Sequence, residues 1–177
     1  MFRITDMTLA HLDAIYEIET RSFSIPWSKN ELRKEIAENK HAIYKVALLE
    51  PPSNPITVPE SGNMPLEGPG QSPQDFEIVG YAGLWHIINE GHITNIAVDI
   101  PYRRMGVGSL LIEELIATAR VREMIGLTLE VRIGNAAAQK LYTKYGFKPE
   151  GIRKRYYADT GEDAVIMWKY LTYIEDK

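Results

Sequence analysis

The spacing of apolar and polar residues near the start of the chain predicts a strand followed by two helices. "FRIT", at residues 2–5, alternates in the way that is typical of a short strand. A helix is expected from Thr8, as its N-terminal cap, to about Arg21. Ser28 and Glu31 have the spacing of a capping box, so a second helix is expected to begin there, with "SIPW" as the bend between the helices. The apolar face of the first helix consists of Leu9, Leu12, Ile15, Tyr16 and Ile18.

The rest of the chain alternates between predicted strands and helices. Strands are expected at "HAIYKVALLE", "FEIVGYAGLWHI" and "GHITNIAVD", with a turn at residues 89–91 between the last two. A glycine-led helix follows, then the strand "IGLTLEVR" and the helix "NAAAQKLYTKYG", capped by Asn135 and ended by Gly146. Two last strands, "FKPEGIRKRYYAD" and "EDAVIMWKYL", are joined at residues 159–161. This order predicts an α/β fold, in which a mixed sheet carries helices on its faces.

Residues 50–75 break this pattern because they hold most of the prolines and few residues that could pack. The segment is longer than ordinary connections, so it is either a loop insertion at a hairpin or a functional flap. An insertion is the favoured interpretation.

Composition narrows the class of protein. The 177 residues suit a single domain, residues 1–177, and the net charge of -4 argues against nonspecific nucleic-acid binding. The chain has no cysteine, no long apolar run and no secretory signal, and its four histidines lack metal-ligand spacing. We therefore expect a cytoplasmic protein without a metal ion and without a membrane or nucleic-acid partner.

The glycine-led helix begins at "RRMGVGS", residues 103–109, which favours an anion site. Glycines let backbone N–H groups approach a ligand, and a helix N-terminus attracts negative charge. A P-loop is excluded because no lysine follows Gly108, and a dinucleotide fingerprint because residue 111 is Leu111. Pyrophosphate fits what remains, but a plain strand-to-helix turn is also open.

The segment "NIAVDIPYRRMGVGSLLIEELI" resembles the acetyl-CoA-binding motif of the GNAT superfamily of N-acetyltransferases. That motif is Arg or Gln, two residues, Gly, one residue, then Gly or Ala. "FSIPWS", "LEVRIGNAAAQKLYTKYGF" and "IRKRYYADTGEDAVIM" are similar, in order, to segments of the ribosomal-protein-alanine N-acetyltransferases, the RimI-like branch. The resemblance covers nearly the whole chain except residues 50–75. It implies the GNAT fold, whose two central parallel strands splay apart.

The resemblance implies acetyl-CoA as co-substrate. Its pantetheine arm would pair with the backbone of the strand before the turn, and its pyrophosphate would bind the backbone of the turn. Asn135 would contact the cofactor as well as cap its helix. The implied cofactor-binding residues are Ile96, Ala97, Val98, Arg103, Arg104, Met105, Gly106, Val107, Gly108, Ser109 and Asn135.

Two residues match the catalytic pair of this branch. Glu130 would take the proton of the amine, through water, although an ion pair with Arg132 on the same strand face is an alternative role. Tyr142 would donate a hydrogen bond to the leaving thiolate, although it could also be a core aromatic of an amphipathic helix.

For the acceptor, the resemblance implies the bend carrying Trp27 and the last hairpin carrying Tyr156 and Tyr157. Core packing is an equal alternative for each of these aromatics. Adjacent strand residues point to opposite faces, so only one tyrosine of the pair is expected in the groove.

The function that the resemblance implies is transfer of acetyl from acetyl-CoA to a basic protein N-terminus, in a ternary complex. The implied substrate is the N-terminal alanine of a small-subunit ribosomal protein. The same chemistry on another amine (another N-terminus, lysine or a polyamine) and a non-catalytic acyl-CoA-binding module remain alternatives.

Overall fold

Seven strands and four α-helices make up the computed structural model, which describes residues 1–50 and 76–171. The predicted loop insertion at residues 50–75 falls almost wholly outside the described residues. The strands are β1 (Phe2–Asp6), β2 (Ala42–Leu49), β3 (Glu77–Ile87), β4 (Glu90–Val98), β5 (Gly126–Arg132), β6 (Lys148–Tyr157) and β7 (Glu162–Tyr170). The α-helices are α1 (Leu12–Ser22), α2 (Lys29–Glu38), α3 (Val107–Val121) and α4 (Ala136–Lys144).

The strands form one mixed sheet in the order β1-β2-β3-β4-β5-β7-β6. β4 and β5 run parallel, and the other five neighbouring pairs are antiparallel. The α/β class and the mixed sheet predicted from the sequence are therefore confirmed.

Two apolar clusters hold helices against opposite faces of the sheet. α3 and α4 pack on one face, and α1 and α2 pack on the other. In β2, Ala47 belongs to the α3/α4 cluster while its neighbours Val46 and Leu48 belong to the α1/α2 cluster, as strand alternation requires. Fully buried side chains on the α3/α4 face include Leu84, Leu111, Ile112, Leu115, Leu127 and Phe147.

The helix starts follow local capping chemistry. At α2, Ser28 N–H donates to the Glu31 carboxylate at 2.7 Å and Glu31 N–H donates to the Ser28 hydroxyl at 3.2 Å, so the predicted capping box is confirmed. Thr8 precedes a short 3-10 helix, Leu9–His11, before α1 begins at Leu12, which refines the predicted single helix. None of the helices within residues 1–50 and 76–171 combines the length and apolarity needed to cross a membrane.

The hairpin between β3 and β4 is tighter than predicted. Its turn is Ile88 and Asn89, and Glu90 and Gly91 already belong to β4, so the prediction of residues 89–91 was wrong by one position. Ile88 has a φ of 58°, which is unusual for a β-branched residue. The sequence misled because glycine, not isoleucine, is the usual residue at such a position.

Candidate active site

β4 and β5 separate soon after they begin. Only three residue pairs join them, the last being His92 with Thr128. Beyond that point β4 continues to Val98 and β5 to Arg132 without pairing with each other. The sheet therefore contains a slot between its two parallel strands, as the resemblance implied.

The slot leaves one edge of β4 available to a ligand. On the other edge, Ile96, Ala97 and Val98 pair with β3. Ala97 is buried, and the side chains of Ile96 and Val98 pack against the α3/α4 cluster. Only the backbone of these three predicted residues is thus free to bind a ligand in the slot, and their side chains are core.

A bulge in β4 marks the place where the strands part. Gly83 pairs with Asn95 and Leu84 with Ile93, so Thr94 is an extra residue between them. The Thr94 hydroxyl and the Asn95 side-chain oxygen are buried and have no hydrogen-bond partner among the described residues.

The glycine turn presents backbone donors next to the slot. Arg104 and Gly106 both have positive φ, 65° and 91°, and Gly106 is the N-cap of α3. No side chain of the described residues caps α3. The first three N–H groups of the helix, those of Val107, Gly108 and Ser109, have no partner within it. A helix N-terminus with free donors is an anion site.

The two glycines serve different purposes. A Cβ at Gly106 would meet no atom within 4 Å, so glycine is favoured there because of the left-handed backbone conformation and not because space is short. A Cβ at Gly108 would lie 3.3 Å from Leu141, so glycine there lets α3 approach α4. Neither of these structural roles prevents a ligand from reaching the backbone at Gly106.

The side chains of the turn differ in their contacts and exposure, although the resemblance implied that all of these residues bind the cofactor. Arg103 donates from Nε to the carbonyl of Val98 at 3.0 Å, so it holds the end of β4. Arg104 and Met105 are exposed, and Ser109 is half-buried. Arg103 is exposed as well, and its bond to a neutral carbonyl leaves its charge intact, so both arginines of the turn can offer charge to a ligand.

Glu130 lies on β5 beside the slot, on the α1/α2 face. Its side chain is 22% exposed, and its Oε1 lies 3.3 Å from Nη2 of Arg153 on β6. The alternative ion pair with Arg132 is not formed, because Arg132 bonds to Asp159 and Glu162 instead.

Tyr142 lies on α4 and packs against the apolar cluster on the opposite face of the sheet. Its ring packs edge-on against Phe147, with centroids 5.9 Å apart. Burial, and after it the nearby Tyr157 hydroxyl, raise the pKa of Tyr142. Its hydroxyl therefore stays protonated and can donate a hydrogen bond, while full proton transfer from it is made harder.

Asn135 caps α4, as predicted. Its side-chain oxygen accepts from the N–H of Ala138 at 3.1 Å. The amide nitrogen of the side chain has no partner among the described residues, so only that group is available to a cofactor.

Trp27 is held in the bend by a buried carboxylate. The N–H of Trp27 donates to Glu19 at 3.0 Å, and the Tyr81 hydroxyl donates to the other oxygen of Glu19. Glu19 is 1% exposed, and burial raises its pKa against the effect of these two bonds. The Trp27 ring is half-buried and packs against the α1/α2 cluster.

Tyr156 and Tyr157 lie together, contrary to the alternation expected for adjacent strand residues. Their rings meet edge-on with centroids 5.2 Å apart. The pairing of β6 with β7 shifts register between Arg153 and Tyr157, and Arg155 within the shift has a φ of 52°. This bulge turns both rings to one side, a deviation that strand alternation could not predict.

Arg132 fixes Tyr157 and the turn that follows it. Its guanidinium lies 3.9 Å above the Tyr157 ring and bonds both oxygens of Asp159, at 2.9 and 2.7 Å. Burial raises the pKa of Tyr157 to about 12, with Arg132 acting in the opposite direction. Tyr156, in contrast, is 45% exposed.

Asp159 also bridges to the bend between α1 and α2. It accepts a hydrogen bond from the Ser24 hydroxyl, and this bond, followed by the bond from Arg132, lowers the pKa of Asp159 to about 2. The two walls predicted for an acceptor groove are thus joined by a direct contact.

Four functional neighbours were not identified from the sequence: Glu19, Ser24, Arg153 and Asp159. Glu19 offered a signal, because it is an acid among the apolar positions of an amphipathic helix. The contacts of the other three cross between distant elements, and no local pattern indicates them.

Two proteins with sequences similar to this chain are named for the same activity. A Bacillus subtilis (strain 168) protein, provisionally named a ribosomal protein bS18-alanine N-acetyltransferase, is 36% identical over 165 residues, 93% of each chain. The Escherichia coli (strain K12) protein named ribosomal protein bS18-alanine N-acetyltransferase is 34% identical over 169 residues, 94% of this chain and 96% of its own.

A solved structure agrees with these relatives. The crystal structure of the ribosomal-protein-S18-alanine N-acetyltransferase from Escherichia coli superposes with a TM-score of 0.76 at 28% identity, covering 100% of this chain and 98% of that one. The sequence also matches the acetyltransferase (GNAT) family over residues 12–147. With the splayed strands and the glycine-led helix, these matches show that the chain belongs to the GNAT family of acetyltransferases.

Proposed function

We propose that this protein is an acetyl-CoA-dependent N-acetyltransferase that modifies the N-terminal alanine of a small-subunit ribosomal protein. The observation that carries the proposal is the slot between β4 and β5, with Glu130 beside it on one face of the sheet and Tyr142 packed on the other face. The two relatives named for this activity, each aligned over more than nine-tenths of this chain, support the choice of acceptor. Ribosomal proteins are made in the cytoplasm, so the reaction is placed there.

The residues present suit coenzyme A. Free N–H groups at the start of α3, with the exposed Arg104 beside them, suit a pyrophosphate. The unpaired edge of β4 from Ile96 to Val98 suits an amide-containing arm that can pair with it like a strand. When bound, acetyl-CoA supplies the thioester that donates the acetyl group.

Glu130 is proposed as the base. The attacking amine must be neutral, and an α-amine with a pKa of about 7.7–8.0 needs only about 1 kcal/mol for this at pH 7, against about 4.6 kcal/mol for a lysine. A carboxylate that is still partly exposed can accept that proton through water. The lower free-energy cost of neutralising an α-amine favours a protein N-terminus over a lysine as acceptor.

Tyr142 is proposed as the hydrogen-bond donor to the sulfur that leaves. Its raised pKa keeps the phenol protonated, which suits donation of a hydrogen bond to the developing thiolate. The proton lost by the amine then has its route through Glu130 to solvent, and not through Tyr142.

The acceptor is proposed to enter beside the contact that joins the bend carrying Trp27 to the turn carrying Asp159. Tyr156 and Tyr157 lie together on one side of this entry, and Glu130 carries an acidic group at its base. Aromatic walls with an acid at the end suit an extended basic peptide with a free N-terminus.

Acetylation of a panel of acceptors tests the proposal. The panel contains peptides that begin with alanine, the same peptides with a blocked N-terminus and an internal lysine, a polyamine and the intact small-subunit protein, with thiol release and mass spectrometry as readouts. We expect transfer to free alanine N-termini and little to the blocked peptides. Preference for lysine or polyamine would overturn the acceptor assignment, and binding of acetyl-CoA without any transfer would overturn the activity.

Replacement of the base gives the matched control. Glu130→Gln should lower kcat by about 100-fold or more while leaving acetyl-CoA affinity unchanged, because it removes the base and not the binding turn. Turnover at the wild-type level would remove Glu130 from the proposed mechanism.

A further inference from the structure

Glu130 is held by one cation, which comes from a different strand. Nη2 of Arg153, on β6, lies 3.3 Å from Oε1 of Glu130, on β5. β7 lies between these two strands, so the arginine side chain spans it. The β7 residue in register with Arg153 is Ala164, whose single methyl group leaves the crossing open.

The other cation on the same face is committed elsewhere. Arg132 bonds Asp159, Glu162 and the Thr160 hydroxyl. Among residues 1–50 and 76–171, Arg153 is therefore the cation that forms an ion pair with Glu130.

The pair leaves the carboxylate of Glu130 accessible. The side chain of Glu130 is 22% exposed, and none of the described residues donates a hydrogen bond to its carboxylate. Arg153 therefore holds the carboxylate by charge, while the partly exposed side chain of Glu130 still reaches solvent.

Arg153 is itself kept in place by an aromatic ring. Its Cζ lies 5.6 Å from the centroid of Tyr156, within the range of a cation–π contact. Tyr156 in turn meets Tyr157, which Arg132 covers. Two arginine–tyrosine pairs thus flank the carboxylate.

We propose that Arg153 is a positioning residue that holds Glu130 by charge, so that its carboxylate is presented to the acceptor amine or to the water that carries its proton. This inference rests on the proposed role of Glu130 as base. It assigns to β6 a part in catalysis in addition to carrying the tyrosines of the acceptor groove.

Steady-state kinetics of Arg153→Gln tests the proposal. We expect kcat to fall about fivefold, the upper end for a partly exposed ion pair, with KM unchanged for both acetyl-CoA and an alanine peptide. Arg153→Lys, which keeps a single-point cation, should restore part of the loss. Lys154→Gln is the matched control, since it removes the neighbouring ion pair with Asp163 and should leave kcat unchanged.

A double-mutant cycle separates orientation of Glu130 from a structural effect. If Arg153 acts through Glu130, Arg153→Gln should change turnover by less than about 1.5-fold in the Glu130→Gln background. An equal fivefold loss in both backgrounds, an unchanged kcat in the single variant, or an effect confined to the acceptor KM would overturn the inference. Glu130→Gln with wild-type turnover would instead overturn the proposed base.

Discussion

The two sides of the sheet differ in how they are covered. β3, near the middle, has six consecutive buried residues because helices pack on both of its faces. β6, at the edge, has no buried residue among its ten. The covered side supplies rigidity, and the uncovered side leaves Tyr156 exposed for recognition.

The uncovered edge avoids a hazard that its position creates. An edge strand exposes unpaired backbone groups, which invites pairing with other chains. In β6 the register shifts twice, once between Pro149 and Gly151 and once between Arg153 and Tyr157. The same irregularity that protects the edge therefore also turns the two tyrosine rings to one side.

The largest expected difference between the two sides is in packing energy. Leu84→Ala, at a fully buried position of β3, should lower the free energy of unfolding by about 3 kcal/mol, because it opens a cavity. Ile152→Ala, at a half-exposed position of β6, is the matched control and should cost less than about 1 kcal/mol. Urea unfolding of both variants measures this, and equal losses would contradict the comparison.

A smaller effect is expected at the buried carboxylate under the bend. Glu19→Gln should cost about 2 kcal/mol, because an amide cannot accept from both the Tyr81 hydroxyl and the Trp27 N–H without turning its own NH₂ toward one of them.

The pH dependence of this effect has a definite sign. The folded-state pKa of Glu19 is raised above the reference of 4.5, so its contribution to stability is full below that value and is lost as pH rises through the folded pKa. The stability of the wild type relative to Glu19→Gln should therefore increase as pH falls from neutral toward 4.5. A constant difference over this range would contradict the raised pKa.

The smallest effect is expected at Asp159, on the uncovered side, and its sign is opposite. The pKa of Asp159 is lowered from 3.8 to about 2, so its stabilising contribution is present above 3.8 and is lost as pH falls through about 2. The difference in Tm between the wild type and Asp159→Asn should thus shrink as pH falls below about 4. A difference that grows on acidification would show that Ser24 and Arg132 do not stabilise the ionised carboxylate.

Local interactions are the part of the structure that the sequence could predict. The Ser28–Glu31 capping box, the Asn135 cap and the glycine-led start of α3 are local, and the structure confirms each. The mixed sheet followed from the order of the elements. These predictions succeeded because each depends on contacts between residues that are close together in the chain.

What the sequence missed depends on contacts between distant segments. Ser24 and Asp159 are 135 residues apart, and Glu130 lies two strands from Arg153. The shared orientation of Tyr156 and Tyr157 depends on a bulge set by pairing with β7. Neither periodicity nor capping rules encode such contacts, so Arg132 was the nearest partner that local spacing could offer to Glu130.

The free N-terminus of α3 carries a consequence for control of the reaction. Under the proposed function, its donors contact a pyrophosphate that acetyl-CoA and spent CoA have in common. The turn then binds substrate and product alike, and we expect CoA to inhibit competitively against acetyl-CoA in initial-rate measurements. Inhibition that excess acetyl-CoA failed to relieve would contradict this. The rate of acetylation would then depend on the ratio of acetyl-CoA to CoA, which links the modification of new ribosomal protein to the acetyl supply of the cell.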